Sequence, residues 1–280
     1  MTKPHKAGAR ETKKCIFCGA NGNSKDHFWS EWLHPMIARD GPNERHARQI
    51  YSYHPATGER LVGPAARQGG IHTIRIRAVC KRCNNGWMNR LEKEVRPTLT
   101  AMALGAAISL TQDRLLAIAK WVTMKCLVAE HDKPDMWVTP PEDCAQFMRL
   151  GTIPDFFRIY AVHNVSGASI GYIRHSHGIV RFGERPSPPF PKGTTQNIQT
   201  VSFLVGRTFF HVNAARIVDF ELEKRFNILR VWDQCRIWPN NSGPIGWPHR
   251  PNLDAEGITF VSEVLERYLR QCKTTWITKL

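Results

Sequence analysis

The sequence predicts an α+β protein in which a small metal-binding module precedes a larger α+β body. Two C-x2-C pairs, at Cys15/Cys18 and Cys80/Cys83, indicate the module. Helical periodicity follows the second pair, and segments beyond residue 155 are rich in β-branched and aromatic residues, which favour strands. The predicted organisation has three parts: a flexible basic arm over 1–14, a metal-binding module over 15–96 and an α+β domain over 97–280.

The module begins with the first cysteine pair and a short extended stretch around Asp26–Trp29. A helical turn is predicted at Ser30–Ala38, and the proline- and glycine-rich segment SYHPATGERLVGP predicts loops and turns around a hairpin. Partial alternation and β-branched residues in IHTIRIRAV predict a strand over residues 71–79. This strand leads directly into Cys80.

Helical periodicity begins after Cys83. Three apolar residues recur every four positions: Trp87, Leu91 and Val95. The helix is expected to end at Pro97. A second helix is predicted from Thr111, with one apolar face: Leu115, Ile118, Ala119, Val122, Cys126 and Ala129. A last amphipathic helix is predicted in ITFVSEVLERYLRQ, after several strands. These stripes indicate core packing rather than a binding groove.

The charge balance indicates an acidic partner. The formal net charge is +15, and residues 1–100 hold 18 lysines and arginines against 8 aspartates and glutamates. Such a surplus favours nucleic acid or an anionic surface, although a solvated, solubilising surface would have the same composition. The sequence has no apolar stretch of transmembrane length and no secretory signal, so we expect a cytoplasmic protein with no membrane partner and with reduced cysteines.

The two cysteine pairs predict a structural zinc site. Each C-x2-C knuckle points two thiolates at one centre, and four thiolates complete the tetrahedral shell of Zn²⁺ without an open position. The alternative is two coincidental pairs in a reduced protein. The other four cysteines are interpreted as ordinary buried thiols: Cys126, Cys144, Cys235 and Cys272.

An acid and a histidine, Asp26 and His27, lie between the two knuckles. A structural zinc needs neither, whereas a hydrolytic phosphodiester site needs a hard cation and a base. Carboxylate and amide oxygens suit Mg²⁺ or Mn²⁺, and histidine titrates near neutrality. Asp26 and Asn84 are therefore candidate metal ligands, and His27 is a candidate base. An ordinary surface or capping pair is the alternative.

Three segments, CIFCG, SKDHFW and VCKRCNNGW, together resemble the HNH superfamily of endonucleases. Within this superfamily, the sequence is similar to the ββα-metal, treble-clef type, in which four cysteines bind zinc. The resemblance covers residues 15–96. It implies that Asp26 and Asn84 bind a catalytic Mg²⁺ or Mn²⁺, that His27 is the general base, and that the four cysteines hold zinc. Glu92, further along the same helix, is either an additional contributor or an ordinary helix-surface residue.

The sequence therefore predicts a metal-dependent endonuclease that hydrolyses phosphodiester bonds in nucleic acid, with DNA favoured over RNA. Four basic residues around the second knuckle are candidate phosphate contacts, or else a solvated face: Arg75, Arg77, Lys81 and Arg82. A non-catalytic, zinc-dependent nucleic-acid-binding protein is the main alternative, and a protein-interaction module is the third. A dimer is compatible with the sequence, which does not specify the oligomeric state.

Two further groups are interpreted as structural. Trp29 and Trp87 are expected to fill the core, because a small zinc module has little other apolar volume. His175 and His177 alternate along a predicted strand, and no further ligands accompany them. They are therefore expected to be exposed strand residues.

Overall fold

The fold is described from a computed structural model of the chain. The structure describes residues 14–21, 24, 27–37, 45–47, 51–53, 60–62, 66–68, 73–132, 136–166, 172–181, 185, 189–190, 192–194, 196–217, 233–240, 243–249, 251–271 and 276–278. The predicted basic arm, apart from Lys14, lies outside these residues, as do Asp26 and Cys272.

A short 3-10 helix and two nested hairpins lie between the cysteine pairs. The 3-10 helix, Glu31–Met36, confirms the predicted helical turn. Strand β1 (Arg45–Ala47) pairs antiparallel with β4 (Ala66–Gln68). Between them, β2 (Tyr51–Tyr53) pairs antiparallel with β3 (Arg60–Val62). This inner pair confirms the hairpin predicted from the proline- and glycine-rich segment.

The strand predicted before the second knuckle is irregular. The Ser24 N–H donates to the Val79 carbonyl at 2.8 Å, and the Phe28 N–H donates to the Ile74 carbonyl at 2.8 Å. The four residue steps from Ser24 to Phe28 are therefore matched by five steps from Ile74 to Val79. The pairing of the two segments shifts by one residue, as at a β-bulge. The prediction of a regular strand over residues 71–79 is wrong for the described part, which pairs through isolated contacts.

A long helical segment leaves the second knuckle. Helix α1 (Lys81–Cys83) continues through a π-helical turn (Asn84–Met88) into α2 (Asn89–Leu104). The predicted end at Pro97 is wrong, because Pro97 lies inside α2. Its missing N–H leaves the carbonyl of Lys93 without a helical donor, but both residues are exposed to water.

Helix α2 continues past Pro97 because its next turns are buried. Leu99 and Met102 are each 0% exposed, and burial of their side chains outweighs one lost hydrogen bond. The predicted division of the chain between residues 96 and 97 thus falls within a continuous helix.

Two further helices precede the main sheet. Helix α3 (Gln112–Ala129) is confirmed, and the Thr111 hydroxyl accepts a hydrogen bond from the Arg114 N–H at its start. Trp121, Val122 and most of the rest of α3 are buried, so this is a central helix of the core. Helix α4 (Pro141–Leu150) follows. Cys126, Cys144 and Cys235 are buried, as predicted.

A six-stranded sheet forms the centre of the body, in the order β11–β6–β10–β9–β7, with β13 parallel to β6. Its strands are β6 (Phe157–Asn164), β7 (Tyr172–His177), β9 (Ile198–Val205), β10 (Thr208–Ala215), β11 (Arg236–Trp238) and β13 (Asn252–Leu253). Two short pairs lie outside it: β5 (Ile108–Leu110) with β12 (Ile245–Trp247), and β8 (Ile179–Arg181) with β14 (Trp276–Thr278). The chain thus has the predicted mixed α+β character.

Helices cover both faces of this sheet. One face joins a core with α3, to which Phe203 and Val212 contribute. The other face packs on helices α5 (Ala255–Ser262) and α6 (Val264–Gln271). The prediction that His175 and His177 are exposed is therefore wrong. His175 is buried, and His177 Nε2 lies 2.8 Å from Glu266 Oε1.

One hydrophobic core joins the cysteine-bearing part of the chain to the body. It includes Cys15, Phe17 and Trp29 together with Phe203 and Val212 of the sheet. Trp29 is 0% exposed, and its ring centroid lies 5.6 Å from that of Phe203. Its predicted core role is confirmed. Within the described residues, no helix is long and apolar enough to cross a membrane.

Candidate functional site

The first knuckle is a tight loop closed by an antiparallel bridge between Lys14 and Asn21. Within it, the Gly19 N–H donates to the Cys15 carbonyl at 2.9 Å. Gly19 has φ +70°, a left-handed conformation that glycine adopts without a Cβ clash. This turn reverses the chain directly after Cys18, which leaves both thiols of the pair available to one centre.

The second knuckle is the start of a helix. Cys80 is the N-cap of α1, and its sulfur accepts a hydrogen bond from the Cys83 N–H at 3.4 Å. The Asn84 N–H then donates to the Cys80 carbonyl at 3.0 Å, which closes the first helical turn. Winding of this turn carries the Cys83 thiol back alongside that of Cys80.

The two knuckles bring all four predicted ligands together: the sulfur atoms of Cys15, Cys18, Cys80 and Cys83 lie within 4.8 Å of one another. The Cys18 and Cys80 sulfurs are 3.5 Å apart. In a tetrahedral zinc site with bonds of about 2.3 Å, neighbouring sulfurs are about 3.8 Å apart. The cluster is therefore positioned to bind one metal ion, and its donor set is compatible with structural zinc.

The thiols also affect one another electrostatically. Burial favours the neutral form of Cys80, but the Cys83 N–H and the neighbouring thiols outweigh it and lower the pKa of Cys80 to about 7. Burial raises the pKa of Cys83, and that of Cys18 is also raised. Four thiolates without a cation would repel one another. A divalent ion among them favours the deprotonated form of each.

His27 lies on the segment that pairs with the approach to the second knuckle. An isolated antiparallel bridge joins it to Arg75, and its imidazole is half-buried. Its ring centroid lies 6.2 Å from that of His34, whose Nε2 is 3.2 Å from the Trp29 carbonyl oxygen. Asp26 lies outside the described residues.

Asn84 begins the π-helical turn directly after the second knuckle. Its side chain is half-buried, and its Nδ2 donates to Asn85 Oδ1 at 3.4 Å. The Asn89 N–H donates to the carbonyls of Asn84 and Gly86, so this turn is wider than an α-helical one. Among the described residues, no hydrogen bond joins His27 to Asn84. His27 lies on the segment that follows the first knuckle, and Asn84 lies on the helix that follows the second.

Glu92 belongs to a buried polar network. Its side chain is 17% exposed, and its Oε1 lies 2.9 Å from Lys125 Nζ. The Ser30 hydroxyl donates to the same oxygen. Burial opposes ionisation, but Lys125 and these hydrogen bonds hold the pKa of Glu92 below its ordinary value. The interpretation of Glu92 as an ordinary helix-surface residue is therefore wrong, whereas its contribution to the site stays a prediction.

The sequence reasoning missed Lys125. The signal was a single lysine within the apolar run WVTMKCLVA of α3. Lysine is rarely buried unless it is paired, so this position predicts a specific acceptor in the core. The structure supplies that acceptor from Glu92 and from the segment that carries His27.

The four predicted phosphate contacts are all exposed. Arg75 and Arg77 lie on the segment opposite His27, with Ile76 and Ala78 buried between and beside them. Lys81 and Arg82 form the first turn of the helix.

No family model, curated protein or solved structure significantly matches the chain. The arrangement nevertheless has a defined chemistry. The thiolates of the cluster are suited to a closed, structural ion. The segments that continue from the two knuckles carry the imidazole of His27, the amide oxygen of Asn84, which is a hard ligand, and exposed cationic side chains.

Proposed function

We propose that the protein is a zinc-stabilised, metal-dependent endonuclease of the HNH type that cleaves nucleic acid, with DNA favoured. One observation carries this proposal. The segment bearing His27 pairs with the segment that leads into the second knuckle, and the helix bearing Asn84 leaves directly from that knuckle. This is the order of elements that a ββα-metal site requires, built on a four-thiolate cluster.

In the proposed reaction, His27 accepts a proton from a water molecule. The oxygen of that water attacks the phosphorus atom, a new P–O bond forms, and the bond to the leaving sugar oxygen breaks. Asp26 and Asn84 would hold Mg²⁺ or Mn²⁺, which would neutralise charge on the leaving oxygen. A zinc ion held by the four cysteines would keep the two flanking elements in place and would take no chemical part.

The charge distribution supports a phosphate-rich substrate. Residues 1–100 contain 18 basic against 8 acidic residues, and Arg75, Arg77, Lys81 and Arg82 are exposed around the second knuckle. Contacts of this kind bind the backbone of nucleic acid without reading its sequence. They therefore support binding of nucleic acid but do not select one base sequence.

The test compares purified wild-type protein with His27→Ala on plasmid, linear, single-stranded and branched DNA and on RNA. Each substrate is incubated with Mg²⁺, Mn²⁺ or EDTA. The matched control is His249→Ala, because His249 lies in the loop after β12, outside the cysteine-bearing segments. We expect metal-dependent cleavage by the wild type and the control, and loss of cleavage in His27→Ala.

Two other outcomes would contradict the proposal. Salt-sensitive binding by wild type and His27→Ala, without cleavage by either, would indicate a non-catalytic, zinc-dependent nucleic-acid-binding protein. Failure to bind nucleic acid even at low salt would indicate a protein-interaction module in which the metal only stabilises the fold.

A further inference from the structure

Lys125 places an ammonium group inside the protein. It lies on the central helix α3, and it is 5% exposed. A buried charge is strongly unfavourable unless other groups replace the lost hydration. The acceptors of Lys125 therefore show which parts of the structure this side chain holds together.

Three elements meet at this ammonium group. Lys125 Nζ donates to the Phe28 carbonyl at 2.8 Å and to Glu92 Oε1 at 2.9 Å, and it lies 3.5 Å from the Ser30 hydroxyl. It also lies 5.7 Å from the ring centroid of Phe28 and 5.6 Å from that of Trp121. Helix α3 of the body thus contacts both α2 and the segment that follows His27.

A gain in stability is a weak explanation for this arrangement. A buried ion pair is rarely more stabilising than well-packed apolar side chains of similar volume, because both charges lose their hydration. What the pair adds is a specific geometry. The Phe28 residue is held on both sides: its N–H donates to the Ile74 carbonyl at 2.8 Å, and its carbonyl accepts from Lys125.

This double anchoring acts directly beside the proposed general base. His27 precedes Phe28, so fixing the Phe28 backbone also fixes the Cα of His27 relative to the approach to the second knuckle. Glu92 lies in the first turn of α2, which continues directly from the π-helical turn that begins at Asn84. Lys125 therefore ties the element bearing His27 to the element bearing Asn84.

We propose that Lys125 is a positioning residue for His27, and that residues beyond 97 contribute to the nuclease site through it. This inference rests on the proposed nuclease function. Lys125 touches neither substrate nor water in the reaction. It holds the imidazole at the distance and angle from which proton transfer is effective, and small displacements of a catalytic group lower the rate steeply.

The test uses two variants of the full chain that differ only at this lysine. Glu92→Gln removes the negative charge but keeps a side-chain oxygen that can accept from Lys125, and it keeps the donor to Phe28. Lys125→Met/Glu92→Gln removes the donor as well, without leaving a buried carboxylate unpaired. Lys120→Met, on the same helix, is the matched control. Zinc content and thermal unfolding are measured for each variant, to show that the fold is retained.

We expect the double variant to lose at least about tenfold in kcat with little change in KM, because positioning affects the reacting complex rather than substrate binding. Glu92→Gln and Lys120→Met should retain kcat within about threefold of the wild type. A folded double variant with the kcat of Glu92→Gln would overturn the proposal. So would an equal loss of kcat in Glu92→Gln alone.

A second measurement separates this inference from the nuclease proposal. Amide hydrogen exchange of a peptide covering residues 27–30 is followed without nucleic acid. Faster exchange in the double variant than in Glu92→Gln supports the positioning role, and equal exchange overturns it. If the wild type cleaves no substrate, the nuclease proposal fails, whereas the exchange result still decides whether Lys125 holds this segment.

Discussion

Zinc binding is the prediction that the structure makes most directly. We expect one zinc ion per chain, held by Cys15, Cys18, Cys80 and Cys83. Cys83→Ala should lose this ion, since three thiolates leave the tetrahedral shell incomplete. Cys144→Ala is the matched control, because Cys144 is also buried but belongs to α4 and not to the cluster.

The distances set the size of the expected change. The cluster sulfurs lie within 4.8 Å of one another, and the Cys18–Cys80 pair is 3.5 Å apart. A tetrahedral zinc site requires about 3.8 Å between sulfurs, so binding needs shifts of about 1 Å or less. X-ray absorption should then show four sulfur atoms at about 2.3 Å from zinc.

The same ion should stabilise the fold, because the unfolded chain has no preformed site. A ligand at a thousandfold excess over its Kd adds about 4 kcal/mol to the free energy of unfolding. Removal by a chelator should therefore lower the denaturant midpoint of the wild type clearly, but not that of zinc-free Cys83→Ala. Elemental analysis that finds no zinc in reduced wild-type protein would refute the reasoning. So would nitrogen or oxygen ligands in the absorption spectrum, or equal zinc loss in Cys144→Ala.

Three further predictions concern the core, acid stability and nucleic-acid binding. Trp29→Ala should lower the free energy of unfolding by about 3–5 kcal/mol, because Trp29 is 0% exposed and packs on the sheet. Urea titration measures this loss, and a value below about 1 kcal/mol would contradict the shared core. The lowered pKa of Glu92 means that its stabilising contribution is present above the ordinary value of 4.5 and is lost as the pH falls below it. Wild type should therefore lose more stability than Glu92→Gln between about pH 5 and about pH 3, and parallel losses would contradict the role of the Lys125 pair. The double variant Arg75→Ala/Arg77→Ala should weaken binding of duplex DNA. The plot of the logarithm of the binding constant against the logarithm of the salt concentration should become less steep by about 2. An unchanged slope would mean that neither residue contacts phosphate.

Local signals in the sequence predicted several elements correctly. The spacing of the cysteines identified the four members of the cluster, because a C-x2-C knuckle is a local geometry that needs no tertiary information. Thr111 marked the start of α3 for the same reason, since a cap acts within one turn. The β-branched and aromatic content of the segments FFRIYAVHNV and VSFLVGRTFFHVN identified the long strands β6, β9 and β10 of the sheet.

Several errors concern tertiary packing. Pro97 does not end α2, because Leu99 and Met102 are buried in a core formed by distant parts of the chain. His175 is buried, because helices from the end of the chain cover a sheet face that the alternation pattern made look exposed. The partner of Lys125 could not be read from the sequence either, since Phe28 lies 97 positions away.

The same long-range contacts bear on whether the cysteine-bearing module can be separated from the body. A fragment of residues 1–96 keeps all four cysteines but ends within α2. It lacks Phe203, which packs on Trp29, and Phe147, whose ring centroid lies 5.8 Å from that of Trp87. It also lacks Lys125, and with it the donor to the Phe28 carbonyl.

We therefore expect this fragment to bind zinc without forming a cooperatively folded unit. Each large apolar side chain that loses its burial costs about 1.5–3 kcal/mol, and several such losses exceed what a small module can sustain. Denaturant unfolding of the zinc-loaded fragment should show a broad, shallow change, whereas the full chain should unfold in a steep transition. A steep transition in the fragment, with amide exchange of residues 27–30 as slow as in the full chain, would show that the module positions His27 without the body.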